Sequence, residues 1–123
     1  MKQLLLIFAL LWALPAAAQV SGFAPSGPTT ACPVPTAISA TSTSGNTALN
    51  SVNSCGQSLI VYNDGSSDVF YRLGTANTVT ALATDNPIPA NSFVILSIGF
   101  GQTYIAVIAT TTSTVRFAQG TVR

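Results

Sequence analysis

The residues best placed for chemistry sit in one short stretch, Asn63-Asp64-Gly65-Ser66-Ser67-Asp68, which holds two of the chain's three carboxylates. Two aspartates on either side of a turn can approach each other. The nearby like charge would then raise one carboxyl pKa, as in a glycosidase pair. Nothing around this turn has the look of a substrate-positioning apparatus, so solvated turn residues are the simpler expectation. With the loop carbonyls, Asn63, Asp64 and Asp68 also offer oxygens to a loosely held Ca²⁺. The alternating ligands and closing Glu of an EF-hand loop are missing. These residues therefore stand as a weak calcium candidate, and no metal or other cofactor is expected.

The wider inventory excludes more chemistry than it offers. The chain has no His and no Glu, and its one Lys is Lys2. That removes the commonest general base and the commonest imidazole ligand, and leaves a serine nucleophile without an activating partner. The expectation is a protein that is not an enzyme. Arg72, Arg116 and Arg123 balance Asp64, Asp68 and Asp85. Without a cationic cluster, capture of nucleic acid or of an anionic membrane is not expected. Solubility must rest on Thr, Ser, Asn and Gln. So little charge beside 48% apolar residues favours association, and a homo-oligomer or larger surface assembly is the expected partner state.

The chain opens MKQLLLIFALLWALPAAAQ, with Lys2 ahead of an apolar run from Leu4 to Leu14, then Pro15 and small residues. This is the pattern of a secretory signal peptide over residues 1–18, cleaved between Ala18 and Gln19. The run falls well short of the ~20 residues that span a bilayer. A secreted or periplasmic protein with no membrane attachment after cleavage is expected. In that setting Cys32 and Cys55, the whole thiol inventory, should form a disulfide. Closing a loop of about 24 residues stabilises a fold by roughly 3 kcal/mol on the chain-entropy view.

The elements that must position these groups are strands. Residues 19–35 read as an extended arm, broken by Pro25, Pro28, Pro33 and Pro35. Residues 36–123 read as the folded domain. Its organising stretch is Ser58–Gly74, read as a β-hairpin. Leu59-Ile60-Val61-Tyr62 is apolar on both faces, Asn63–Ser67 carries turn chemistry, and Val69, Tyr71 and Leu73 share a face opposite Phe70 and Arg72. Arg72 should face water and leave Phe70 partly exposed. Strands are also expected over Thr36–Ser44, ended by Gly45 and Asn46, and over Thr78–Ala83. Stronger ones are expected over Ser92–Ile98, Thr103–Thr110 and Thr114–Ala118, the last with Val115 and Phe117 inward and Arg116 outward. Pro87 and Pro89 forbid a central strand at their position. No segment has helical periodicity over a helical length. The fold class is an all-β, small antiparallel β-sandwich of six to eight strands.

Phe100, between Gly99 and Gly101, is the ring least explained by core packing. It should fold back over an open end of the sandwich. The other reading makes it the aromatic platform of a glycan- or cell-surface-binding module. The proposed contact surface is therefore Phe70 and Arg72 on one strand face and Phe100 in its turn.

From Gln57 to Gly120 the chain runs LIVYNDGSSDVFYRLG, a Thr/Ala-rich crossing, NPIPANSFVILSIG, TYIAVIA and STVRFAQG. This order resembles small β-sandwich accessory and decoration domains of tailed phages and prophages. The resemblance implies a virion decoration or attachment module. The signal peptide departs from that pattern, since tailed phages assemble in the cytoplasm, and implies a host-encoded or prophage-derived secreted protein.

Overall fold

A computed structural model describes residues 22–25, 32 and 37–122. The expected signal peptide, most of the 19–35 arm and Arg123 lie outside the described residues. In chain order the elements are β1 (Phe23–Pro25), β2 (Ile38–Ala40), β3 (Gly45–Ala48), a one-turn helix α1 (Val52–Cys55), β4 (Ser58–Asn63), β5 (Val69–Gly74), β6 (Asn86–Ile88), β7 (Ser92–Ser97), β8 (Tyr104–Ala109) and β9 (Ser113–Val122).

The strands form two antiparallel sheets packed face to face. The first runs β1-β9-β4-β7, with β2 also on β9; the second runs β3-β8-β5-β6. β2 and β1 share one flank of the ten-residue β9, β2 against Val115–Ser113 and β1 against Val122–Gly120. Without β1, the two sheets read 2-9-4-7 and 3-8-5-6, the strand order of an eight-stranded jelly roll. Its signature is that successive strands alternate between layers, and among the described residues β5–β6 is the one consecutive pair that is hydrogen-bonded within a sheet.

The expected hairpin over Ser58–Gly74 is therefore not formed. β4 lies between β7 and β9 in the first sheet, while β5 lies between β8 and β6 in the second. Each residue of β4 has a partner on both sides, which leaves no flank for β5. Residues 64–68 carry the chain across from one layer to the other. Turn chemistry was legible there, but a turn that pairs two strands and one that crosses between sheets use the same residue types.

Asn63 holds this crossing. Its side chain is 1% exposed. Nδ2 donates to the carbonyls of Ser67 (2.8 Å), Ile88 (3.0 Å) and Pro89 (3.1 Å). Oδ1 accepts from the Gly65 N–H (3.1 Å) and the Ser113 hydroxyl (2.7 Å). One amide thus ties together the β4–β5 crossing, the β6–β7 crossing and the start of β9. Gly65 allows it, because a Cβ there would collide with the Ser113 side chain. Ser67 Oγ, in the same crossing, is buried and has no hydrogen-bond partner among the described residues.

Between the layers pack Leu59 and Val61 of β4, Val69 of β5, Ile88 of β6, Ile105 and Val107 of β8, and Val115 and Phe117 of β9. Val115 and Phe117 point inward and Arg116 outward, as the alternation predicted. The Cys32–Cys55 disulfide is present. Several local readings change. Gly45 and Asn46 begin β3 instead of ending a strand, and the strand expected over Thr36–Ser44 shrinks to Ile38–Ala40. Residues 78–83 form no strand. Pro87 lies in β6, at the edge of its sheet.

The amide network makes a contrasting pair of substitutions informative. Asn63→Ala leaves three carbonyls, an N–H and a hydroxyl short of a partner in a buried site, and should lower unfolding free energy by about 3 kcal/mol in urea titrations. Ser67→Ala, in the same crossing, removes only an unpartnered hydroxyl and should leave stability unchanged or slightly higher.

Candidate functional site

The crossing disperses the residues expected to act together. Asn63 is saturated by backbone and Ser113. Asp64 pairs with Arg116 of β9 at 2.7 Å. Asp68 Oδ1 accepts the Ala90 N–H at 3.2 Å. The three candidate calcium ligands are thus each engaged with a different part of the protein. No group of three or more His, Cys, Asp or Glu side chains able to hold a metal occurs among the described residues.

The outer face of the second sheet is largely sealed by the chain itself. The segment 75–85 folds over it, leaving Ala81 at 1% and Ala106 at 0% exposure. Polar ties hold it down, among them a Thr103 hydroxyl that donates to the Thr75 carbonyl. Asn46 Nδ2 donates to the Asn77 and Val79 carbonyls. The Ala81 N–H donates to Ser44 Oγ. Arg72 and Asp85 form a two-pronged pair, Nε–Oδ2 at 3.0 Å and Nη2–Oδ1 at 2.5 Å, while Oδ2 also accepts the Leu82 N–H. Arg72 does face outward, but as the clasp of this cover. Phe70, opposite Pro87 and Ile108, is half-buried. The Arg72 hydrogen bond, with the Leu82 N–H, holds the Asp85 carboxyl below its ordinary 3.8.

The open face belongs to the first sheet. Along β7 the side chains alternate: Val94 and Leu96 turn toward the core, Phe93 and Ile95 turn out. Phe93 is 54% and Ile95 47% exposed. Beside them on β4 stands Tyr62, paired directly with Phe93, the two rings 5.5 Å apart. Arg116 lies across β4 from them, opposite Tyr62 and ion-paired to Asp64. This aromatic and aliphatic patch was not among the sequence-derived sites. SFVILS reads as apolar on both faces, and only strand pairing reveals which face the described residues leave uncovered. The alternating register was its one visible trace.

Phe100 does not fold back. It is 84% exposed at the tip of the β7–β8 crossing, which is closed by Gln102 N–H to the Gly99 carbonyl and by Gly99 N–H to Gln102 Oε1. Gly101 adopts φ +83°, a conformation natural to glycine. A shallow cleft beside the ring is lined by Leu49, Asn50, Val52, Asn53 and Gln102. A second cleft opens on the flank between the sheets, lined by Tyr71, Leu73, Ile95, Leu96 and Gln102 with Arg72 and Asp85 at its edge. Partial burial raises the Tyr71 phenol above its usual 10.0.

The disulfide fits a non-cytoplasmic protein, since thiols are kept reduced in the cytosol. No helix among the described residues is long and apolar enough to cross a membrane. Compared with known proteins, the chain matches no family profile, no curated protein and no solved structure.

The clasp predicts an acid response of definite sign. A carboxyl depressed in the folded state stabilises above its unfolded pKa and loses that contribution as pH falls through the lower folded value. The melting temperature should therefore drop as pH is lowered from about 4. In Asp85→Asn the melt should start lower at neutral pH and show a smaller drop over the same window.

Proposed function

We propose that this chain is a non-enzymatic secreted structural protein that works by presenting a surface, associating with itself or docking on a larger assembly, as prophage-derived virion accessory domains do. The observation that carries this reading is the Tyr62–Phe93–Ile95 patch. One outer face is sealed by its own chain segment, while the other exposes three large apolar side chains on a protein with almost no charge. Exposed apolar patches on soluble proteins mark interaction sites more often than scattered single residues do. Jelly-roll folds serve viral capsid and lectin domains alike, a fold-level analogy that agrees with docking without specifying a partner. The residue inventory adds support, for it lacks the usual general bases and its carboxylates are engaged in ion pairs or hydrogen bonds.

Gradient sedimentation of native culture fluid tests the reading. The protein should travel with high-mass material or as an oligomer, and the double variant Tyr62→Ser/Phe93→Ser should release it to the monomer fraction with its melting curve largely kept. Wild-type protein found only as a free monomer would count against it.

A second reading, a carbohydrate-binding module, rests on Phe100, an exposed ring held between two glycines beside Asn50, Asn53 and Gln102. Aromatic faces beside amides suit sugar stacking. Glycan-array binding that disappears in Phe100→Ala would support it, and an array without signal would set it aside.

A further inference from the structure

We infer that β7 is a self-association edge, along which a second copy of this chain adds its own β7 antiparallel to extend the first sheet. The inference deepens the assembly reading above and rests on it.

The edge is open in the hydrogen-bonding direction. β4 and β7 pair in continuous register from Ser58↔Ser97 to Asn63↔Ser92, and the next pair is bonded through the Ile98 N–H to the Gln57 carbonyl at 2.7 Å. Antiparallel ladders alternate bonded and non-bonded pairs. Counting back from Ile98, the residues bonded to β4 are Leu96, Val94 and Ser92. Phe93, Ile95 and Ser97 therefore aim their N–H and C=O groups away from β4. Among the described residues no strand pairs on that side.

Natural edges are guarded by shortness, Pro, charge or bulges. The other edges here are guarded: β6 has three residues and contains Pro87, β1 has three and ends at Pro25, β2 has three, and β3 has four and begins with Gly45. β7 has six residues, Ser-Phe-Val-Ile-Leu-Ser, without charge or Pro. Its flank also exposes the cleft where half-buried Tyr71, Leu73 and Leu96 line the gap between the layers. An added strand would bond the edge, cover the outer patch with one set of side chains and close that cleft with the other.

The occupant is fixed by symmetry and charge. An antiparallel pair about a two-fold through Val94 sets Phe93 of one copy against Ile95 of the other, and the bonding groups of both copies meet in phase. The two patches then become one continuous apolar band containing both Tyr62 rings. The charges Arg72–Asp85 and Arg116–Asp64 are already neutralised within each copy, so apposing two copies brings no like-charge penalty. Beyond β1, the arm of a neighbouring copy carries Pro28, Pro33 and Pro35, and is a poor strand for this edge, since each Pro lacks the N–H that a ladder needs.

Analytical ultracentrifugation of the disulfide-intact protein from micromolar to millimolar concentration tests this. Wild type should sediment as a concentration-dependent dimer. Ile95→Lys should weaken it by about tenfold or more, because like charges are then diagonal neighbours across the two-fold and each faces an apolar ring. Ile95→Glu should do the same, and an equimolar mixture of the two variants should recover a heterodimer. Ile95→Pro spares the bonds to β4, since the N–H it removes faces away from that strand, and should also give a monomer with its melt retained. Phe100→Ala should dimerise as wild type does. Dimerisation that survives all three Ile95 changes but is lost in Phe100→Ala overturns the β7 edge while leaving the assembly reading standing. A strict wild-type monomer that binds no larger material overturns both.

Discussion

The Asn63 side chain is the constraint on which this end of the sandwich depends. A strand that leaves one sheet for the other strands the polar groups of its last residue in the gap between layers. Here a single carboxamide supplies both donors and acceptors at that point, to the carbonyls of Ser67, Ile88 and Pro89 and from Gly65 and Ser113. The geometry is a local mimic of backbone pairing, made where no neighbouring strand can provide it. Because the amide reaches two crossings and the start of β9, it fixes the spacing of the layers as well as the turn. Gly65 is part of the same device, for the close approach of Ser113 leaves no room for a Cβ.

From that staple follows the division between a closed and an open face. With β4 flanked by β7 and β9, Tyr62 and Phe93 are placed side by side on the outside of the first sheet. With β5 sent to the second sheet, Arg72 meets Asp85 and clasps the 75–85 segment over that sheet instead. The asymmetry between a covered and an open face is thus set by which layer each half of Ser58–Gly74 joins.

Individual strands were legible in the sequence where period-two alternation is strong. Ser92–Ile98, Thr103–Thr110 and the Val115/Arg116/Phe117 alternation all have their counterparts in β7, β8 and β9. Sheet membership was not legible, because it depends on competition for flanks: β4 is matched over its full length by β7 and by β9. The stretch Thr78–Ala83 has the β-branched residues of a strand, yet its fate is decided by Asn46 and Ser44, far earlier in the chain. The exposed apolar patch was not legible for the same reason. Phe70, Arg72 and Phe100 stood out by composition, whereas Tyr62, Phe93 and Ile95 acquire meaning only as neighbours in a sheet. The exposed Phe100 shows the converse, a ring that composition singled out and packing left outside.

The position of β9 bears on how the molecule comes into being. This last strand lies at the centre of the first sheet, holding β4 on one side and β1 and β2 on the other. Until it emerges, β4 has only one neighbour and the earliest strands have none in their sheet. Pairings between segments so distant in sequence form slowly and late. The first sheet is therefore completed only when β9 joins it, whereas the four strands of the second sheet, β3, β8, β5 and β6, can pair without it.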